Sequence, residues 1–276
     1  MATDLTDADR KQIENAVVLL EFPGFIARVA DVIGTPAEKA IQLLPERVAG
    51  LLSEVTKRAV MASLKVALAT LDTGGRGEAP PESSDGWHKL AAALSGGASG
   101  TFGIAALAVE LPLSTTIIMR SIADVARSEG ADLSHLPTRL ECVQVLALGG
   151  PSSGDDASET GYFATRLNLA RMVTEASAHL LEFGLEREGA PVLVRLILAV
   201  AERYAIPVSA KAAAQAVPVV GAVGGALVNT LFIDHFQGVA RGHFTVRRLE
   251  QKYGAERVQA QYAEILRGLK PGNAPA

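Results

Sequence analysis

AAAQAVPVVGAVGGALVNTLFI, residues 212–233, is the stretch that decides the fold, because it carries no charge and is rich in small side chains. LAAALSGGASGTFGIAALAV, residues 90–109, has the same two properties. Such segments either cross a bilayer or form closely packed helices at the centre of a helical bundle. Each contains two glycines four residues apart: Gly96 and Gly100 in one, Gly221 and Gly225 in the other.

The content of the two stretches favours close helix packing over insertion. Alanine, glycine, serine and valine insert into a bilayer more weakly than leucine, isoleucine and phenylalanine. Pro112, Gln215, Pro218 and Asn229 lower the propensity further. We therefore predict an all-α, multi-helix bundle with two central apolar helices rich in small residues. Peripheral or inserted membrane association stays open, as does a helical hairpin that shelters inside the bundle and opens onto lipid.

Composition narrows the class of protein. A net charge of −4 gives no general case for nucleic-acid binding, which requires a basic surface. The single cysteine, Cys142, excludes an internal disulfide and a cysteine-based metal cage, and a buried structural role suits its apolar neighbours. The acidic N-terminal residues do not resemble a secretory signal, so we expect a cytoplasmic protein.

Helix boundaries are legible along the chain. Thr6 and Asp9 form a capping pair before an amphipathic run, and Thr35 with Pro36 predicts a second helix start. A helical pattern then continues to residue 71 with a break at Pro45. Three parts follow from this pattern and from a polar, Gly/Pro-rich tract: an N-terminal helical segment at 1–71, a flexible loop at 72–86 and a helical domain at 87–270.

Few polar groups interrupt the apolar regions. Glu110 is the one charge in a long apolar run, and a buried carboxylate is costly unless it is paired or protonated. Arg120 and Asp124 are spaced as an intrahelical pair, with Arg127 extending the polar face. Asp234 and His235 directly follow the second apolar stretch. A metal site built from Glu110, Asp234 and His235 is one interpretation, and polar contacts at helix ends are the other.

The C-terminal part is locally basic, which suits either a solvated helical face or contact with anionic headgroups. Its cations are Arg241, Arg247, Arg248, Lys252 and Arg257.

Several blocks together resemble the EcsC protein family. They are GASGTFGIAALAVELPLSTTIIMRSIADVARSEG at 97–130, GYFATR at 161–166, IPV at 206–208, PVVGAVGGALVNT at 218–230, DHF at 234–236 and FTVRRLEQKY at 244–253. Their order and spacing match the family across most of residues 90–262, whereas residues 1–85 match only in helical character. Glu110 stands where the family often has aspartate. The resemblance implies a bacterial, mostly helical protein associated with a membrane or with transport, and it supplies no catalytic residues.

The leading functional hypothesis is a non-enzymatic accessory or lipid-interacting protein at the inner face of the cytoplasmic membrane. Its partner would be a membrane lipid or a membrane protein, with no cofactor, metal or nucleic acid. A soluble hydrolase that uses Glu110, Asp234 and His235 around a metal or water is the alternative, and an oligomerising scaffold is a third. A polar cluster near the ends of the apolar helices is predicted to contain Glu110, Tyr162, Arg166, Asn229 and Asp234.

Overall fold

The computed structural model describes most of the chain. The residues it describes are 4–34, 37–42, 44, 46–70, 107–149, 161–184, 190–216 and 221–269.

Within these ranges the regular secondary structure is all helical, with no strand, which confirms the all-α prediction. The helices are α1 (Asp7–Glu21), α2 (Phe25–Ile33), α3 (Ala37–Gln42), α4 (Glu46–Thr70), α5 (Leu107–Ser128), α6 (Leu136–Gln144) with a 3-10 turn at Val145–Ala147, α7 (Gly161–Phe183), α8 (Pro191–Ala216), α9 (Gly221–Tyr253) and α10 (Ala255–Gly268).

Local signals placed several helix ends correctly. The Thr6 hydroxyl accepts from the backbone N–H of Asp9 at 3.2 Å and donates to its carboxylate at 2.7 Å. Helix α3 ends at Gln42 and α4 begins at Glu46, and Pro45, where a break is expected, lies outside the described residues. The predicted cap at Thr35 and Pro36 and the loop at 72–86 lie outside the described residues.

Two prolines lie inside helices. Pro112 lies within α5 and Pro207 within α8. Nearby hydroxyls occupy backbone carbonyls around Pro112: Thr116 Oγ1 donates to Pro112 O at 3.0 Å, and Thr115 Oγ1 donates to Leu111 O at 2.6 Å. The packing of both helices in the core outweighs the loss of a single backbone hydrogen bond at each proline.

The uncharged stretch at residues 212–233 contributes to two helices. Residues 212–216 end α8, and residues 221–233 begin α9. Residues 217–220, between these two helices, lie outside the described residues. Of the other stretch, residues 107–109 begin α5, while Gly96 and Gly100 lie outside the described residues.

Helices from both sides of the 71–106 gap contribute to one hydrophobic core. α4 packs on α5 and α8, and α1 packs on α9. Gly238 and Gly242 of α9 allow α1 to approach α9 closely. A Cβ at Gly242 would lie 2.9 Å from Leu20 Cγ, and a Cβ at Gly238 would lie 3.2 Å from Leu19 Cδ2. This third pair of glycines, which the sequence reasoning missed, lets α1 lie against α9.

Among the described helices, none is both long enough and apolar enough to span a bilayer.

Candidate functional site

A buried polar group sits where α5, α8 and α9 meet, and we call it the Lys211 cluster: Lys211, Glu110, Asn229, Gln215 and Ser114. Lys211 Nζ donates to Glu110 Oε1 at 2.5 Å and to Asn229 Oδ1 at 2.7 Å. Gln215 Nε2 donates to the second carboxylate oxygen of Glu110 at 3.2 Å. All five side chains are buried. One ammonium therefore ties three helices together at the level where α5 and α9 begin.

The buried ammonium also lies beside an aromatic ring. Lys211 Nζ lies 4.7 Å from the centroid of the Phe232 ring, and Ser114 Oγ is 3.4 Å away. Burial lowers the pKa of Lys211, and the neighbouring Glu110 carboxylate counteracts that shift in part. Gln215 Oε1 is buried without a hydrogen-bond partner. The cluster holds its charges in direct contact inside the core, where an unpaired charge would be costly.

A second buried group joins α7 to the C-terminal half of α9 and to α6. We call it the Tyr162 cluster: Tyr162, Arg166, His243, Glu250, Glu141 and Arg247. The Tyr162 hydroxyl lies 2.9 Å from His243 Nδ1 and accepts from Arg166 Nη1 at 3.1 Å. Arg166 Nη2 donates to the Glu250 carboxylate oxygens at 2.7 and 2.9 Å.

Arg247 extends this cluster to α6. Its guanidinium donates to the Glu141 carboxylate at 3.0 and 3.3 Å and also reaches Glu250 at 3.4 Å. His243 Nε2 is 3.8 Å from Glu141 Oε2 and has no hydrogen-bond partner. Because Arg166 donates to the Tyr162 oxygen, the Tyr162 O–H is free to donate to Nδ1, which assigns the His243 proton to Nε2.

Burial sets the protonation states of the Tyr162 cluster. It raises the pKa of Tyr162 well above its usual value. Burial also lowers the pKa of His243, with Glu141 opposing that shift. Tyr162 and His243 are therefore neutral near pH 7, and the charges of this cluster reside on the arginines and carboxylates.

The single polar cluster predicted from sequence is divided. Lys211 bonds to both Glu110 and Asn229. Tyr162 and Arg166, which lie one helical turn apart on α7, bond to each other. Asn229 and His243 lie fourteen residues apart on α9, which at 1.5 Å per residue is about 21 Å. The two sets of predicted residues therefore belong to separate sites.

Asp234 and His235 belong to neither cluster. Asp234 Oδ2 accepts from Arg28 Nη1 of α2 at 2.9 Å, a pair that is partly exposed. His235 is buried and stacks on Phe25 with ring centroids 5.2 Å apart, and burial lowers its pKa to about 4. Both side chains therefore contact α2.

The other predicted polar residues have ordinary structural surroundings. Asp124 accepts from Arg127 at 3.1 Å, while Arg120 is exposed. Burial raises the pKa of the Cys142 thiol, which makes it a poor nucleophile. No group of three or more His, Cys, Asp or Glu side chains in the described part of the chain could hold a metal ion.

Several C-terminal cations form ion pairs rather than an open basic face. Arg248 pairs with Glu129 at 3.0 Å, and Lys252 pairs with Asp9 at 2.9 Å. Arg257 lies 3.4 Å from Asp4, and Arg247 is held by Glu141. This arrangement favours the structural interpretation of the basic stretch.

Sequence reasoning missed Lys211, although a signal was present. Glu110 directly follows one uncharged stretch, and Lys211 directly precedes the other. Opposite charges that bound two apolar segments are natural partners once the segments pack, because each would otherwise be buried alone. His243 and Glu250 were missed because they lie on a charged helix whose buried face cannot be read from the charge pattern.

The comparison with known families identifies the chain. The model of the EcsC protein family matches residues 27–249. The match begins earlier than the sequence resemblance did and takes in α3 and α4. No curated protein and no solved structure matches the chain. The chain belongs to the EcsC protein family.

Proposed function

We propose that this EcsC-family chain is a non-enzymatic, lipid-interacting accessory protein that binds the inner face of the cytoplasmic membrane peripherally. A link to transport or secretion, which the family resemblance implies, would be made through that surface. The proposal concerns the end of the bundle where α5 and α9 begin.

One observation carries the proposal: large apolar side chains are exposed beside the Lys211 cluster. Val109 is 77% exposed, Leu113 53% and Leu227 47%. Val109 precedes Glu110 in α5, and Leu227 lies two residues before Asn229 in α9, so all three lie at the level of the cluster. Exposed apolar side chains at one level of a bundle favour a membrane or protein partner.

The Lys211 cluster supports a structural role for the polar groups nearby. Its ammonium and carboxylate are hydrogen-bonded to each other and buried, which suits fixing α5, α8 and α9 rather than catalysis. A rigid scaffold of this kind would hold Val109, Leu113 and Leu227 in a constant arrangement. The interaction with lipid would then come from the apolar side chains.

Vesicle flotation tests the proposal. The chain is mixed with vesicles of phosphatidylethanolamine and phosphatidylglycerol, and its partition is compared with that of a variant carrying Val109→Gln, Leu113→Gln and Leu227→Gln. We expect the partition of the variant to fall by at least about tenfold, because three apolar side chains no longer leave water.

The matched control carries Val194→Gln, Leu167→Gln and Leu181→Gln on α7 and α8. These side chains are 38%, 75% and 74% exposed, so the control removes a similar apolar surface from another face. It should float as the unmodified chain does. Absence of flotation by the unmodified chain, or equal losses in both triple variants, would refute the membrane surface.

A further inference from the structure

An apolar groove lies between α8 and the helices α3 and α4, away from the two polar clusters. Its volume is about 480 Å³, within the range of sites that bind small ligands. Leu198, at its lip, is 45% exposed to solvent. The apolar side chains along its walls include Ile41, Leu44, Leu52, Leu198, Ala201 and Ala205.

Polar groups of the groove are few. Lys57 and Ser53 line the α4 wall one helical turn apart, and Glu202 and Ser209 lie on the α8 wall. Lys57 Nζ donates to Glu54 at 2.9 Å, and both side chains of this pair are substantially exposed. An exposed pair of this kind contributes little to stability, so Lys57 can exchange Glu54 for another anion at small cost.

We infer that this groove binds one long-chain fatty acid, with its alkyl chain along the apolar walls and its carboxylate at Lys57. An alkyl chain suits the walls because it has no polar groups to satisfy, whereas a bound peptide would bury backbone N–H and C=O groups against few partners. Glu202 repels a carboxylate and so favours the α4 side of the mouth for the head group. The inference deepens the proposed lipid interaction and rests on it.

Calorimetric titration of the full chain, without vesicles, tests the inference. The probes are decanoate, dodecanoate, tetradecanoate and dodecanol. We expect the dissociation constant to fall about fourfold for each added methylene until the groove is full. Lys57→Gln should weaken dodecanoate binding by about threefold to fivefold and leave dodecanol binding unchanged.

Two groove variants locate the site. Ala205→Trp fills the groove, and Leu198→Glu places a carboxylate at its lip. Each should abolish measurable dodecanoate binding, and thermal unfolding checks that the variants fold. Ala170→Trp and Leu167→Glu, at exposed positions of α7, are the matched controls and should bind dodecanoate normally.

The outcomes separate this inference from the membrane proposal. Lack of dodecanoate binding, or normal binding by folded Ala205→Trp and Leu198→Glu variants, overturns the groove even if the chain floats with vesicles. An equal effect of Lys57→Gln on dodecanoate and dodecanol overturns the assignment of the head group. Dodecanoate binding by a chain that does not float would instead refute the membrane surface and leave the groove standing.

Discussion

The Lys211 cluster and the Tyr162 cluster both depend on α9, yet they accommodate buried charge in different ways. In the first, a single ammonium meets a single carboxylate, and the other members are neutral amides and a hydroxyl. In the second, two arginines share the Glu250 carboxylate, and Arg247 also holds Glu141. Arg247 is partly exposed, whereas Lys211 is fully enclosed.

The two clusters differ in whether a charged side chain keeps a partner when its neighbour is substituted. An enclosed ion pair leaves its partner as a buried charge with no substitute. A guanidinium network has spare donors and contact with solvent, so its carboxylates keep a partner. A single substitution should therefore destabilise the protein more in the Lys211 cluster than in the Tyr162 cluster.

The largest expected effect comes from Lys211→Met. This change leaves Glu110 buried with only the Gln215 amide, and it should lower the free energy of unfolding by about 3–5 kcal/mol. Urea denaturation followed by circular dichroism measures the loss. Lys57→Met, at an exposed ion pair, is the control and should cost less than about 1 kcal/mol.

A double variant shows whether the loss comes from the orphaned charge. Adding Glu110→Met to Lys211→Met removes both charges, so stability should recover relative to Lys211→Met alone. If the two losses simply added, the ion pair would not explain the brittleness of this cluster.

Arg166→Met should have a smaller effect, about 1–3 kcal/mol, because Glu250 keeps Arg247 at 3.4 Å. The same urea titration measures it. A loss of stability as large as that of Lys211→Met would contradict the proposed difference between the clusters, since Arg247 would then not compensate for the lost arginine.

Acid should act on the Tyr162 cluster through His243. Burial lowers the pKa of this imidazole below its unfolded value of 6.5, so the unfolded chain binds the proton more readily. Stability is therefore retained above pH 6.5 and falls below it, by at most about 1.4 kcal/mol per pH unit. The titratable and charged groups that face His243 are Tyr162, Glu141, Arg166 and Arg247.

The measurement compares unfolding at pH 7 and pH 5. His235, whose pKa is about 4, gives its own acid sensitivity in both chains, so the difference between His243→Gln and the unmodified chain isolates His243. His243→Gln should flatten the pH dependence, and His135→Gln, at an exposed position, should not. Parallel profiles for all three chains would contradict a neutral buried His243.

Tyr162→Phe should have the smallest effect, about 1 kcal/mol, because it removes one hydroxyl that bonds to Arg166 and His243. Thermal unfolding checks it. A loss above about 3 kcal/mol would show that the hydroxyl organises the whole network and that the Tyr162 cluster is as brittle as the other.

The features that could be predicted from sequence are those that interactions between neighbouring residues determine. The Thr6 cap, the break near Pro45 and the helical fold follow from interactions within a few residues. Glu110 and Asn229 were singled out because they are polar in apolar surroundings. Lys211 was not, because its burial depends on how α8 packs against α5 and α9.

The same limit explains the divided cluster and the missed glycines. Tyr162 and Arg166 are one turn apart, but their partner on α9 is His243 rather than Asn229, and the register between helices sets that choice. Gly238 and Gly242 have the same spacing as the glycines of the apolar stretches. They lie in a charged region, where glycine spacing alone does not indicate a helix contact. Their role becomes clear only from the packing of α1 against α9.

The contact between α1 and α9 also has a consequence for biosynthesis. Leu20 meets Gly242, more than 200 residues later in the chain. At ribosomal speeds of about 5–20 residues per second, roughly 10–40 s separate the appearance of these two positions. During that interval the apolar face of α1 (Ile13, Val17 and Leu20) waits without its main partner. Helix α1 is thus synthesised long before the part of α9 on which it docks.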